Sequence, residues 1–432
     1  MMHCVRRCVL AIVMVSALVL PAATPCRADL WEYIARPEPE YKWEKVGEKD
    51  MQGAKVHTLQ MRSQVWREIP WDHAIEVFRP ANMQYPDTML LVITGGNPGG
   101  EGTALGAMLS GMLGAPVAVL WNIPNQPLFG GLKEDDLISH TFVEYLKSGD
   151  ETWPLLFAMA KSAVKAMDTL QAFAQKEWNQ KVTDFVVTGA SKRGWTTWLT
   201  GAVDHRVVGI MPMVIDTLNM QKQMPHQIET WGKYSEMIDE YTRRGIQQQM
   251  STERGQKLLG MVDPYFYRKH LAMPKLIING ANDPYWVTDA LNNYWDGLRG
   301  PKCVLYAPNS GHGLDDFQRV LATTVGFFHY VAGEKPFPKM AWQHDDADGR
   351  LRLRISSDIA PAGARLWVAR SASMDFRKSK WEQMPMTAAG DAFVGEVERP
   401  KEGGLAVFGE ADYSIEARSF TLSTQVRMAS AK

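Results

Sequence analysis

The sequence predicts an α/β protein in which a mostly parallel sheet is covered by helices on both faces and is followed by a small β-sandwich. Over most of the chain, continuous apolar runs alternate with longer segments of helical periodicity. After about residue 340 the helical periodicity stops, and only short candidate strands remain. Strands that alternate with helices favour a parallel sheet, because each crossover helix packs back onto the sheet.

The predicted parallel strands are apolar runs of the length expected for buried strands. They are residues 88–94, 116–121, 184–188, 207–215, 275–279 and 302–307. The predicted helices are residues 102–113, 135–147, 153–177, 191–202, 287–298 and 314–331. Three earlier segments alternate as antiparallel strands do; they are residues 41–47, 55–66 and 74–79.

Length and composition limit the classes of protein to which this chain can belong. Its 432 residues predict two or three domains, and 45% hydrophobic with 22% charged residues is ordinary for a globular protein. Lys and Arg number 47 and Asp and Glu 48, so no strong positive field exists to hold a phosphate backbone. Nucleic-acid binding is therefore disfavoured, and a small-molecule or peptide substrate is expected instead.

Residues 1–28 predict an export signal. Arg6 and Arg7 precede an apolar stretch, which is followed by small residues ending at Ala28. The stretch is shorter than the 20 or so residues that span a bilayer. We therefore expect a periplasmic or secreted protein without an integral membrane segment after cleavage, exported by either the general or the twin-arginine route. Cys303, which alone remains after cleavage, is predicted to be a buried small hydrophobe.

An unusually long connection divides the predicted α/β domain, which spans residues 29–334. Residues 217–272, here called the insert, separate two predicted strands, and connections of this length are often functional lids. Flexible methionines suit an adaptable binding surface, although filling the core is their commoner use. The methionines in question are Met220, Met224, Met237, Met250 and Met261.

The C-terminal region, residues 341–427, predicts a β-sandwich domain that follows a proline-rich linker. Asp348 and Gly349 predict a hairpin turn. Further strands are expected at residues 365–369, 392–397, 404–409 and 419–425. The domain either stabilises the protein by packing or offers a surface to a protein partner.

The segment 188–194 carries the sharpest chemical signal. It follows an apolar strand, precedes a helix and contains Ser191 between small residues. A serine on such a strand-to-helix turn has an exposed hydroxyl, and the backbone N–H of Lys192 then faces a developing oxyanion. Arg193 departs from the usual spacing, because a small residue is normal at that position and glycine follows only at Gly194. A serine that only caps the helix is the alternative.

Partners for Ser191 follow in the chain order of α/β-hydrolases, which is serine, then acid, then histidine. Asp283 lies just past one predicted strand, and His312 lies in the loop after the next strand. A serine nucleophile needs a histidine as base and a carboxylate that orients the histidine. We therefore predict Ser191, Asp283 and His312 as the catalytic residues, with Asp216 as the alternative acid.

The glycine-rich loop at residues 95–100 is expected to supply a second oxyanion donor, from Gly96 or Asn97. No Lys-Ser/Thr pair follows these glycines, and their spacing does not fit a dinucleotide fingerprint. The proposed chemistry needs neither a metal nor an organic cofactor.

Four further side chains are candidates for binding substrate. Trp121, Trp195 and Trp286 lie near predicted active-site turns, where their faces can stack on sugar rings or acyl groups. Ordinary packing is the commoner role of any one tryptophan. Arg193, like Lys192, either reads an anionic group of the substrate or pairs with acidic side chains of the protein.

Several segments of the chain match a known pattern. They are ITGGNPGGEGT (93–103), WNIPNQPL (121–128), SGDETWPLL (148–156), TGASKRGWTTWL (188–199), INGANDPYW (278–286), NSGHGL (309–314), LWVARSASMDFR (366–377) and the stretch from Trp381 onward. Together they resemble the PhoPQ-activated pathogenicity-related protein family. The resemblance implies an exported bacterial protein with an α/β-hydrolase-like domain and an appended β-rich domain. It supplies no substrate, and it implies relatives whose role is signalling.

Two hypotheses about function follow. The first is an exported serine hydrolase that cleaves an ester or amide through an acyl-enzyme intermediate. The second is a non-catalytic secreted binding or signalling protein that reuses the fold.

Overall fold

The computed structural model of the protein describes residues 29–51, 53–415 and 418–431. The predicted export signal, residues 1–28, lies outside this part of the chain. Within it, no helix is both long enough and apolar enough to span a membrane.

The strands and helices are numbered in chain order. The strands are β1 Lys42–Met51, β2 Ala54–Trp66, β3 Ile69–Pro80, β4 Thr88–Ile93, β5 Val117–Leu120, β6 Asp184–Ala190, β7 Val207–Met213, β8 Lys275–Gly280, β9 Lys302–Ala307, β10 Met340–Ala347, β11 Arg350–Ser357, β12 Gly363–Ser371, β13 Trp381–Pro385, β14 Thr387–Ala389, β15 Ala392–Glu398, β16 Gly404–Ile415, β17 Arg418–Ser423 and β18 Arg427–Ser430. The α-helices are α1 Leu30–Ala35, α2 Gly100–Leu113, α3 Glu134–Ser148, α4 Leu155–Trp178, α5 Lys192–Val203, α6 Met220–Trp231, α7 Asp239–Thr242, α8 Ile246–Gln249, α9 Glu253–Val262 and α10 Phe317–Ala332. Short 3-10 turns lie at Glu236–Ile238, Pro264–Tyr267, Ala290–Asn293 and Trp295–Gly297.

The central sheet contains a parallel block in the order β5-β4-β6-β7-β8-β9, and β3 joins this block antiparallel through β5. Neighbouring residues of β4 belong to different cores, Leu90 to one and Leu91 to the other. Helices α4 and α5 pack on the Leu91 side, and α2 and α10 pack on the Leu90 side. The sheet is therefore buried on both faces, and the predicted α/β-hydrolase-like fold class is confirmed.

The C-terminal strands form two facing sheets, one of which continues the central sheet. Strand β17 pairs antiparallel with β9 at Ser423 and Val304, and β16, β12 and β13 follow in order. The second sheet has the order β10-β11-β15-β14. Apolar side chains of both sheets meet in a small core that includes Leu353 and Val407. The hairpin predicted at Asp348-Gly349 joins β10 to β11.

One predicted element is wrong. Residues 287–298 do not form an α-helix but two short 3-10 turns. The backbone carbonyls of Ala290 and Asn293 accept hydrogen bonds from the side-chain amides of Gln223 and Asn219, 3.0 and 2.7 Å away. Contacts with the insert therefore replace the regular helical bonds of this segment.

A buried ion-pair network ties α10 to the C-terminal strands. Glu410 on β16 is fully buried and accepts hydrogen bonds from Arg319 on α10 and from Arg365 on β12. Arg365 also pairs with Asp412. Because the carboxylate lies between two cations, its removal leaves both without their shared partner in a low-dielectric environment.

We expect Glu410→Ala to lower the free energy of unfolding by about 3–5 kcal/mol, as is typical when one member of a buried ion pair is removed. Urea unfolding measures the change. Glu396→Ala is the matched control, because Glu396 pairs with Arg350 and Arg352 on the surface of the second sheet. Equal losses of unfolding free energy in the two variants would contradict a special stabilising role for the buried network.

Candidate active site

Ser191 lies on a tight turn between β6 and α5. Its backbone has φ 57° and ψ −124°, a positive-φ conformation that is strained for a non-glycine residue. A Cβ at Gly189 would lie 2.7 Å from the Arg193 carbonyl oxygen, and a Cβ at Gly194 would lie 2.9 Å from that of Gly189. The turn therefore requires glycine at both positions. Thr252, by contrast, has negative φ at the start of α9 and accepts a hydrogen bond from the Gly255 N–H, as an ordinary helix cap does.

The structure brings Ser191, His312 and Asp283 together. His312 Nε2 lies 2.9 Å from Ser191 Oγ, and His312 Nδ1 lies 2.8 Å from Asp283 Oδ2. Asp283 is buried and also accepts a hydrogen bond of 2.9 Å from the backbone N–H of Tyr285. With a proton on Nδ1 that is donated to Asp283, the neutral imidazole leaves Nε2 free to accept the serine proton.

Close contact between two loops places the acid and the histidine side by side. Asp283 follows β8 and His312 follows β9, which are parallel neighbours. A Cβ at Gly280 would lie 2.2 Å from the Gly311 carbonyl oxygen, so the loops approach each other only because residue 280 is glycine. The Asn282 N–H also donates to the Ser310 carbonyl at 3.0 Å.

Tyr285 is a site residue that the sequence analysis missed. Its ring stacks on the imidazole of His312, with 4.1 Å between ring centroids and 29° between the ring planes. The only signal available in the sequence was its position two residues after Asp283. The stacking restricts rotation of the imidazole, which holds its two nitrogens toward their partners.

Asp216, the alternative acid, has other partners. Its carboxylate accepts hydrogen bonds from the Tyr294 hydroxyl and from Asn279 Nδ2, the latter at 2.8 Å. Burial raises the pKa of Asp216 to about 6, although these hydrogen bonds act to lower it. Of the two predicted acids, Asp283 is the one that the structure places against His312.

The glycine-rich loop after β4 lies beside the serine turn, because β4 and β6 are parallel neighbours that pair up to Ile93 and Gly189. Gly96, one of the two predicted donors, lies against Trp121: a Cβ there would be 3.5 Å from the indole ring. Asn97 follows it in the exposed part of the loop. Lys192 is the first residue of α5, so its N–H has no acceptor within the helix.

Arg193 fills the space between the serine turn and two loops. Its guanidinium forms two hydrogen bonds with the carboxylate of Glu134, at 2.6 and 2.7 Å, and donates to the Ile123 carbonyl at 2.5 Å. A Cβ at Gly95 would lie 1.7 Å from the guanidinium, which therefore packs directly against this backbone. Of the two roles suggested by the sequence, the structure shows the pairing with a protein carboxylate.

Lys192 is paired as well. Its ammonium lies 2.8 Å from Asp135 and 3.2 Å from Glu134. The pKa of the Glu134 carboxyl falls to about 2: burial acts to raise it, but the hydrogen bonds and charge of Arg193 outweigh burial. The two cations that follow Ser191 are thus matched by two anions at the start of α3.

An apolar pocket opens beside Ser191 and His312. Its empty volume, counting the part open to solvent, is about 780 Å³. The lining includes the predicted Trp195 and Trp286, whereas Trp121 packs beneath the glycine-rich loop. Three methionines of the insert also line the pocket; they are Met220, Met224 and Met250. Of the other two, Met261 lies in the core and Met237 is exposed.

Comparison with one solved esterase structure supports the fold. An acetyl xylan esterase from Paenibacillus sp. R4 aligns with a TM-score of 0.50 and 14% identity, over 69% of this chain and 91% of that one. Acetyl xylan esterase 1 from Thermoanaerobacterium sp. JW/SL YS485 aligns with a TM-score of 0.48 and 14% identity, over 70% of this chain and 95% of that one. At such low identity the likeness concerns the fold alone.

Two comparisons concern the sequence. The chain is 28% identical over 422 residues to autocrine proliferation repressor protein A of Dictyostelium discoideum, a match that covers 88% of this chain and 85% of the relative. Residues 30–377 match the model of the family described as PhoPQ-activated pathogenicity-related protein. Because this match spans most of the chain, the protein belongs to the PhoPQ-activated pathogenicity-related protein family.

Proposed function

We propose that this protein is an exported serine hydrolase that cleaves an ester or amide through an acyl-enzyme intermediate. The observation that carries the proposal is the continuous hydrogen-bonded series Ser191–His312–Asp283, with contacts of 2.9 and 2.8 Å. Contacts of this length are within reach for proton transfer from serine to histidine. The α/β-hydrolase fold and the apolar pocket at the serine also support it.

In the proposed reaction, Ser191 Oγ attacks the substrate carbonyl carbon while its proton moves to His312 Nε2. The tetrahedral intermediate collapses, the bond to the leaving alcohol or amine breaks, and His312 returns the proton to the leaving group. A water molecule then attacks the acyl-enzyme with the same histidine as base, which releases the acid and restores Ser191. Asp283 holds His312 in the tautomer with its proton on Nδ1, and it stabilises the imidazolium cation that forms during the reaction.

The backbone N–H of Lys192 is proposed as one oxyanion donor, and the N–H of Gly96 or Asn97 as the second. The first lies at the N-terminus of α5, where the helix dipole favours negative charge. Hydrogen-bond donors that are already in position before the reaction typically stabilise the transition state by several kcal/mol.

The insert is proposed as a lid over the site, because its methionines line the pocket beside Ser191. Residues 1–28 are proposed to direct export to the periplasm or the exterior. Residues 29–334 and 341–427 remain our proposed division of the mature chain into domains.

A secreted signalling protein is the second candidate function, and one observation favours it. The curated relative from Dictyostelium is named as an autocrine proliferation repressor, and the match covers most of both chains. Such a role does not require an activated serine, so a test of serine reactivity separates the two candidates.

Labelling with a fluorophosphonate probe tests the proposal. We expect wild-type protein to be labelled at Ser191, and labelling to be lost in Ser191→Ala and His312→Ala because the nucleophile and its base are removed. Asp283→Asn should slow labelling by up to about 10⁴-fold, since the histidine then takes the wrong tautomer.

Two variants serve as matched controls for this experiment. Asp216→Asn alters the alternative candidate acid, and His226→Ala removes a histidine that is paired with Asp289 at 2.7 Å, outside the proposed triad. Both should retain most of the labelling. A folded wild-type protein that stays unlabelled, also after its insert is shortened, would contradict the hydrolase and favour the signalling protein.

Arg193→Ala tests whether this residue reads a charge on the substrate. We expect equal losses, of up to about 100-fold, on neutral and on anionic esters, because the guanidinium braces the glycine-rich loop and a small displacement there is costly. Steady-state rates on paired substrates measure this. Glu134→Gln should reproduce the pattern, whereas a loss confined to anionic esters would restore the anion-reading role.

A further inference from the structure

We infer that the pocket beside Ser191 binds the acyl part of the substrate, and that this acyl group is uncharged, apolar and larger than acetyl. The inference rests on the proposed hydrolase function and names the substrate class of the same site. It depends on which side chains form the walls and on how their charges are matched.

One part of the pocket lining, here called the floor, comes from residues on the helix that follows Ser191 and after the neighbouring strand β7. Trp195 comes from α5, and Val214 and Ile215 follow β7. In an acyl-enzyme the acyl group stays bonded to Ser191 Oγ after the alcohol has left. The acyl group is therefore the part of the substrate that remains against this floor.

Most of the rest of the lining comes from the insert and is largely apolar. Its apolar side chains include Met220, Met224, Ile246, Met250, Leu258 and Leu259. An acetyl group offers only one methyl to these side chains. A longer acyl chain would bury apolar surface there, and the flexible methionines can adjust to its shape.

The charged side chains at the pocket are paired with other side chains of the protein. Lys192 lies 2.8 Å from Asp135, which also accepts a hydrogen bond of 3.0 Å from the Tyr241 hydroxyl. Among the described side chains that line the pocket, the buried Trp286 Nε1 and Gln247 Oε1 lack hydrogen-bond partners, but both groups are neutral. An ionised acyl group would therefore lose its hydration without gaining an unpaired counter-charge.

The experiment compares p-nitrophenyl acetate, butanoate, hexanoate and monosuccinate with the wild-type protein. We expect kcat/KM to rise by up to about fourfold for each added CH₂ that is buried, and by at least about tenfold from acetate to hexanoate. The monosuccinate should react more slowly than the butanoate.

Met250→Trp fills the pocket and should lower the hexanoate-to-acetate ratio by about tenfold, as the loss of two buried CH₂ groups would. Met237→Trp is the matched control, since Met237 lies in the same insert but is 40% exposed and outside the pocket lining. It should leave the ratio unchanged.

Several results would overturn the inference. These are a preference for acetate or monosuccinate, and equal hexanoate-to-acetate ratios in Met250→Trp and wild type. If Ser191 is labelled by fluorophosphonate while the chain-length preference is absent, only the substrate class fails. No labelling and no hydrolysis of any ester would overturn the hydrolase as well.

A different set of contacts carries a second inference. We propose that residues 375–381, here called the clamp segment, position Asp283 and His312 for the reaction. The segment lies between β12 and the start of β13, in the C-terminal strands, and its Phe376 and Trp381 are buried.

Two asparagines connect the clamp segment to the loops of the triad. Asn282, next to Asp283, donates through Nδ2 to the Ser379 carbonyl at 2.8 Å and to the Phe376 carbonyl at 3.1 Å. Asn309, in the His312 loop, donates to the Trp381 carbonyl at 2.9 Å and accepts from the Trp381 N–H at 2.8 Å. Both loops are thus held by one short stretch of backbone.

The clamp segment also contacts the insert. Arg377 lies 3.1 Å from Glu236, and its guanidinium stacks over the ring of Trp231 at 4.1 Å. The insert in turn contacts the acid loop, because Ser235 Oγ donates to the Pro284 carbonyl at 2.7 Å. The clamp segment therefore contacts the acid loop, the histidine loop and the insert.

Asn309→Gly removes both hydrogen bonds to Trp381. The backbone can keep its φ of 56° at this position, because glycine tolerates positive φ. We expect fluorophosphonate labelling to slow by about tenfold or more, and the midpoint of its pH profile to move, because small displacements of the base are costly. Asn309→Asp, which loses only the donor, should show a smaller effect and remains informative if the glycine variant does not fold.

Asn292→Ala is the matched control, because Asn292 donates to the Val426 carbonyl at 2.9 Å but lies on a loop without a triad residue. It should label within about twofold of wild type and keep the same pH profile. Equal slowing in both variants, or an unchanged rate and pH profile in Asn309→Gly and Asn309→Asp, would overturn the positioning role. The low-field NMR signal of the His312 Nδ1 proton gives a second readout that does not depend on hydrolysis: the role requires it to shift in the Asn309 variants.

Discussion

The backbone of Ser191 is the constraint on which the rest of the site depends. A positive φ at this residue brings the hydroxyl to within 2.9 Å of His312 while leaving the N–H of Lys192 at the open end of α5. The turn is tight enough to exclude a side chain at Gly189 and at Gly194. Strain of this kind persists only where surrounding contacts hold it, and here most residues of the two flanking elements are buried.

The same turn explains the unusual arginine. A small residue is normal two positions after a serine nucleophile, because the helix start crowds the preceding strand. Here the required space is provided by glycines at positions 95 and 189, each of which would collide with Arg193 if it carried a Cβ. The guanidinium then connects the serine turn to the glycine-rich loop and to Glu134. Arg193 departs from the usual spacing, and its side chain connects the segments that form the proposed oxyanion region.

The sequence could predict the parts of the site that follow from local rules. Parallel strands end at one edge of a sheet, so a serine, an acid and a histidine placed after such strands are expected to meet. It could not predict the parts that depend on distant segments. The Arg193–Glu134 pair joins residues 59 positions apart, and Asn282 reaches the clamp segment across almost a hundred positions. The helix predicted at residues 287–298 is wrong for the same reason. Side-chain amides of the insert, which is distant in the sequence, donate hydrogen bonds to two backbone carbonyls of this segment.

Continuity of the sheet links the C-terminal strands to the proposed chemistry. Strand β9 precedes the His312 loop, and β17 pairs with β9 at its outer edge. The buried Glu410 fixes these strands to α10, which follows the same loop. An appended domain with a purely separate role would need neither a shared sheet nor a direct contact with both triad loops. The C-terminal strands are therefore continuous with the sheet that carries the site, and any surface they offer to a partner would be connected to the His312 loop through Asn309 and the clamp segment.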